Sequence, residues 1–209
     1  DASPGANPNK IANLLQMKED PLNPGTYYGV DAPEFGTHAS GQVISFTAPP
    51  SRTADTLVIA YVTARVTANT SEAPPPEHSG LYREPLPLSD GGLLAAHTFN
   101  TRPAQNTGSV ANPASRFDFR LKLLAKTGAH WTPSITLTNG ISKTVSWWDP
   151  DTLVTYSGNL WELSPVEVSA RPRPPQRTPQ LAAPELQMFQ QAGVDVAVVV
   201  GGEDDRAVQ

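Results

Sequence analysis

Arg116-Phe117-Asp118-Phe119-Arg120-Leu121-Lys122-Leu123 decides the fold class. Aromatic or aliphatic residues alternate with charged ones, without a break, along the whole stretch. Successive side chains of a strand point to opposite faces, so this period of two describes a strand with one face in a core and one in water. Phe117, Phe119, Leu121 and Leu123 are expected to share the buried face.

The same grammar extends in both directions. Upstream, Pro85-Leu86-Pro87-Leu88 and Leu93-Leu94-Ala95-Ala96-His97-Thr98 flank Ser89-Asp90-Gly91-Gly92, a tight-turn signal, and form a hairpin. Val43 to Phe46 is a short β-branched run that stops at Pro49-Pro50. Leu57 to Val66 is apolar on both faces and belongs in the middle of a sheet. Downstream, Ile135 and Leu137, the turn Thr138-Asn139-Gly140, and Val145 to Trp148 predict a second hairpin. Asp149-Pro150-Asp151 then turns the chain into Leu153 to Tyr156, and Ser157-Gly158-Asn159 turns it into Leu160 to Leu163. Strands recurring at intervals of about 8–12 residues indicate an all-β chain of antiparallel hairpins.

The flanks are different. Residues 1–26 read as an arm, with Ile11, Leu14 and Leu15 on one face of a helical turn; residues 27–170 are the all-β domain. Residues 67–80, with Pro74-Pro75-Pro76, are a loop inside it. Residues 171–209 are a tail: five prolines and three arginines between Arg171 and Pro184, a short helix from Pro184 to Ala192, then Val194 to Val200 and a charged, disordered end. The 22 prolines in 209 residues are about twice the usual share and disfavour long helices. A net charge of -5 argues against nonspecific binding to nucleic acid. No apolar run approaches the ~20 residues of a membrane-spanning helix. With no cysteine, the chain can form no disulfide, thiolate-ligated zinc site or covalent haem link.

A strand, an Asp-Gly turn and an apolar strand, as at Leu88 to His97, recur in the blades of TolB-like β-propellers. Four stretches are similar to a region of the large exported proteins related to the alpha subunit of hydrazine synthase. They are Tyr27-Tyr28-Gly29-Val30-Asp31-Ala32-Pro33-Glu34-Phe35-Gly36-Thr37-His38, Tyr82 to Gly91, Ser115 to Leu121, and Leu160-Trp161-Glu162-Leu163-Ser164-Pro165-Val166-Glu167-Val168. The resemblance spans residues 20 to 195 and implies propeller-like blades, a periplasmic or secreted location, and a place within a larger haem-associated protein. Cys-x-x-Cys-His is absent, so no haem ligand carries over. At about 40 to 50 residues per blade, the chain holds two or three blades, an incomplete propeller; a β-sandwich is the alternative. Either open arrangement leaves sheet edges to be covered by a protein partner or by self-association.

Two metal constellations are conceivable. Asp31, Glu34 and His38 could join His78 or His97 in an open zinc site that activates water, although no two histidines have the spacing of a helical site. Asp149 and Asp151 share a turn whose oxygens could attract calcium. The structural readings beside these are loop-capping carboxylates, a hydrogen-bonded strand-end His97, and an Asx-turn. The sequence has neither a Gly-x-Ser-x-Gly elbow nor a phosphate-binding glycine loop. Trp131, Trp147, Trp148, Trp161 and Tyr156 are candidates for core packing or for an aromatic platform; Trp147 and Trp148 must face opposite ways. The expected function is a noncatalytic scaffold or interaction module, with a metal-dependent lactonase or esterase as the alternative.

Overall fold

The computed structural model describes residues 9–65, 76–170, 172–174 and 181–195. The chain divides into residues 1–167 and residues 168–209. Among the described residues of the first unit lie three antiparallel sheets, none closed on itself. Strands β1 (Leu14–Glu19), β2 (Thr26–Asp31), β3 (Gln42–Thr47) and β4 (Ala60–Tyr61) form the first, in sequential order. The second is likewise sequential: β5 (Leu81–Pro87), β6 (Leu93–Thr98), β7 (Arg120–Thr127) and β8 (His130–Thr136). The third is a hairpin of β9 (Ser142–Asp149) and β10 (Thr152–Asn159).

The second sheet is covered on both faces around β6, while the last three residues of β7 and of β8 are exposed. Every residue of β6 is buried, as an apolar run with small Ala95 and Ala96 at its centre allows. On one face Tyr82, Leu93, Ala95 and Leu124 meet Val43 and Val62, with Tyr28 and Trp131 at the margin, so the two four-stranded sheets share a core. On the other face Leu81 and Ala96 pack beneath Phe117, Phe119, Leu121 and Trp161. Phe117, Phe119 and Leu121 thus share a face as expected, but the strand itself begins only at Arg120, and Leu121 and Leu123 are half-buried. On the opposite face, which the pattern assigns to water, Leu124 is buried against Val43 and Val62, and Lys122 is buried with its Nζ 4.0 Å from the Phe99 ring centroid.

Two seams join these sheets. Gly41 and Tyr82 exchange backbone hydrogen bonds, at 3.0 Å and 2.8 Å, and a Cβ on Gly41 would lie 1.9 Å from the Asp31 carbonyl oxygen. The bulged residues Gln16 and Glu84 form the other: Glu84 N donates to Gln16 Oε1 at 2.8 Å, and both residues have positive φ.

Several local expectations are corrected. Leu14 and Leu15 lie in strand β1, not in a helical turn; Leu14, with Ile11 just before the strand, packs against the cluster of Ile44, Phe46 and Ile59. The described part of the Leu57 to Val66 run, residues 57–65, is not a central strand; it follows a 3-10 turn at Ala54–Thr56 and forms the two-residue edge strand β4 and an irregular segment whose Val62 N bonds Val43 O, while Val66 lies outside the described residues. The Asn139-Gly140 turn joins no hairpin. β8 pairs with β7, and β9 pairs with β10 around Asp149-Pro150-Asp151, so Thr138 to Ile141 links two sheets. Ser157-Gly158-Asn159 is the end of β10 and not a turn, and Leu160 to Leu163 is irregular. The hairpin turn at Ser89 to Gly92 is present, with Gly91 at φ +87° and Leu88 N bonded to Gly92 O.

In the second unit α1 (Ala183–Gln191) begins with a proline in its first turn, as the sequence predicts, and buries no residue. Residues 1–8, part of the 67–80 loop, Arg171, residues 175–180 and the tail from residue 196 lie outside the described residues.

Candidate functional site

Among the described residues, no three His, Asp or Glu side chains come together as a metal-holding group. The fold instead gives each candidate ligand a separate place. Asp31, at the end of β2, accepts the Tyr61 hydroxyl and the backbone amides of Ala12 and Asn13, tying the segment before β1 to the first sheet. Burial, with the Asp31 bond second, pushes the Tyr61 phenol well above its usual range. Glu34 is exposed. His38, at φ +51°, sets its ring edge against Trp161 at 5.2 Å between centroids. Asp149 and Asp151 are exposed at the tip of the β9–β10 hairpin, and neither side chain is hydrogen-bonded among the described residues.

His78 and His97 do come near one another, through Ser79. His97 is fully buried and its Nε2 lies 2.6 Å from the Ser79 carbonyl oxygen, which can only accept, so Nε2 carries the proton. Nδ1 then faces the interior without a partner. Tyr82 and Phe99 lie against the ring at 4.8 Å and 4.6 Å. Burial is the main reason that its pKa falls to about 3; the Ser79 bond opposes the shift, while Lys122 and His78 reinforce it. Gly80 makes this possible, since a Cβ there would meet His97 Nε2 and the Thr98 carbonyl oxygen at 2.3 Å. His97 is a neutral core histidine, and His78 is also lowered by burial.

Glu162 is a locking residue that sequence reasoning did not single out. Its carboxylate accepts the Leu121 amide at 2.9 Å, Arg120 Nε at 3.1 Å and the Thr138 hydroxyl. Burial alone would raise its pKa, but the Thr138 and Leu121 bonds and the Arg120 charge together bring it below the usual glutamate value. Next to it, Trp161 Nε1 donates to the Phe117 carbonyl oxygen at 2.9 Å, clamping the ring over Phe119. Its outer side helps line a cleft of about 310 Å³ with His38, Gln105, Asn106, Pro113 and Tyr156. Asn106 spends its side chain on Gly108 N, Ala114 N and Ser109 O, and the Tyr156 hydroxyl donates to Asn159 O. Ser115 also lines the cleft, but its hydroxyl accepts the Phe117 amide at 3.0 Å and no hydrogen bond joins it to His38 among the described residues.

The β9–β10 hairpin exposes large apolar side chains. Trp148 is 68% exposed, Trp147 44% and Leu153 49%, and seven of the eight residues of β9 are exposed. One face carries a ladder of cross-strand side-chain hydrogen bonds: the Ser142 hydroxyl donates to Asn159 Oδ1, and the hydroxyls of Thr144 and Ser157 pair at 2.8 Å and those of Ser146 and Thr155 at 2.9 Å. Trp148 and Leu153 cap that ladder as a registered pair. The opposite face buries Val154 beside Trp147. The outer edge of β10 receives one bond, Thr155 N to Ala111 O, whereas the outer edge of β9 has no backbone partner among the described residues. The period-two hydroxyls of Ser142, Thr144 and Ser146 were a legible signal; reading Ser157-Gly158-Asn159 as a turn hid the matching strand.

Comparison with known protein families, curated proteins and solved structures finds no match to this chain.

Proposed function

We propose that this chain is a noncatalytic interaction module whose contact element is the β9–β10 hairpin. The observation that carries the reading is a pair of exposed tryptophans on a two-stranded sheet with an open edge. A hairpin alone is marginal in water, and large aromatic side chains in a continuous surface favour contact with another protein. The groups that might have done chemistry are engaged elsewhere: Asp31 and Glu162 hold backbone amides, and His97 is neutral in the core. The metal-dependent lactonase or esterase alternative would need ligands that the described fold keeps apart.

Two sequential four-stranded sheets have the connectivity of propeller blades, which supports a blade-like module of the kind the hydrazine synthase-related resemblance implies. On that reading it works in the periplasm or outside the cell, as part of a larger haem-associated assembly, without binding haem covalently itself. Metal analysis of the purified chain, with ester and lactone hydrolysis assayed before and after chelation, tests the choice of class. The module reading expects no stoichiometric metal and no chelator-sensitive turnover. Stoichiometric zinc or calcium with hydrolysis lost on chelation overturns it.

A further inference from the structure

Strand β9 reads Ser142-Lys143-Thr144-Val145-Ser146-Trp147-Trp148-Asp149, with one cation and one anion placed symmetrically about Ser146. An antiparallel copy of the same strand, paired so that Ser146 lies opposite its own mate, puts Lys143 opposite Asp149 of the second copy, and Asp149 opposite its Lys143. Both lie on the same face, as cross-strand partners must. In this register Val145 meets Trp147 of the second copy and Thr144 meets Trp148, four aromatic contacts with β-branched residues in all. A shift of two residues in either direction breaks both ion pairs. The edge is available, since β9 has no outer backbone partner among the described residues, and both Lys143 and Asp149 are exposed without an ion partner there.

We infer that the hairpin's partner is a second copy of this chain, joined β9 to β9 about a two-fold axis at Ser146. The product is one continuous antiparallel sheet in the order β10-β9-β9-β10, with four strands like the two sheets already complete in the chain. A two-fold contact must be self-complementary, and the placement of Lys143 and Asp149 supplies this. The inference rests on the hairpin being a contact element and names what it contacts.

The absence of cysteine makes the pairing directly testable on the full chain. Under mild oxidation Ser146→Cys should cross-link to itself, because directly opposed residues bring their Cα atoms to about 4.5–5.5 Å. Thr155→Cys, at the same height on β10 but separated from its mate by three strand spacings of about 4.8 Å, should not. In sedimentation velocity, Lys143→Glu should weaken the dimer by about tenfold, since it replaces two attractions with two repulsions. Lys143→Glu combined with Asp149→Lys should restore it. A wild-type chain that stays monomeric at high concentration overturns the inference, as does equal cross-linking at both positions or a dimer indifferent to charge reversal. A dimer that survives Trp147→Ser with Trp148→Ser fails more broadly, because the hairpin is then not the contact element at all.

Discussion

Strands β6 and β9 show what a neighbour does to a strand. Both are regular antiparallel strands paired through nearly their whole length, yet every residue of β6 is buried and seven of eight in β9 are exposed. The difference is cover: β6 offers leucine and alanine on both faces and lies between the first sheet and the Phe117–Trp161 layer. β9 places hydroxyls on one face and a mixed row of Lys143, Val145, Trp147 and Asp149 on the other, enough to form a hairpin but not a core. The molecule therefore separates the residues that hold it together from those it leaves free for contact.

Substitutions can sharpen or break that contrast. The largest effect is expected at Phe119, fully buried against Phe117 and Trp161: Phe119→Ala should cost about 3–5 kcal/mol by denaturant unfolding. A cost below about 0.5 kcal/mol, the range of surface substitutions, would mean that this layer is not a core. Glu162→Gln should cost about 1–3 kcal/mol, because it loses the charge facing Arg120 while leaving the Leu121 amide a weaker acceptor. Since the folded Glu162 pKa lies below the usual 4.5, its contribution is present above that pH and is lost as the pH falls further; Glu162→Gln should flatten this acid loss.

His97 gives a second window. Its folded pKa of about 3 lies below the unfolded 6.5, so only the unfolded chain takes up a proton between these values, and stability falls as the pH drops below 6.5. The slope approaches about 1.4 kcal/mol per pH unit, and His97→Gln should remove it in urea titrations from neutral to acid pH. The smallest effect belongs to Trp148→Ser, within about 0.5 kcal/mol in dilute solution, where no association contributes.

The sequence made the second sheet legible because its signals are local: the alternation at Phe117 to Leu123 and the Asp-Gly turn before Leu93 carry their own meaning. Pairing between distant strands is harder to read. Asn139-Gly140 resembles a hairpin turn as strongly as Asp149-Pro150-Asp151 does, and only the partners available to β8 and β9 distinguish them. Leu57 to Val62 is apolar enough for a central strand, but Val43 and Val62 are satisfied by an irregular crossing that also carries the buried Thr63–Gln42 bond. For the site, residue type pointed to Asp31 and His97 as ligands, whereas Asp31 holds backbone amides and the Tyr61 hydroxyl, and His97 a carbonyl and aromatic rings. The exposed hairpin had a signal in its hydroxyl periodicity, but exposure follows from the absence of a covering layer, which no local pattern encodes.

Amide hydrogen exchange, followed as the protein is concentrated, tests the separation of core from contact surface most directly. The β9 amides that do not bond β10 should exchange rapidly in dilute protein and become protected as concentration rises, while β6 amides stay slow throughout. Those β9 amides exchanging as slowly as β6 in dilute solution, or at one unchanging rapid rate at every concentration, would contradict the account.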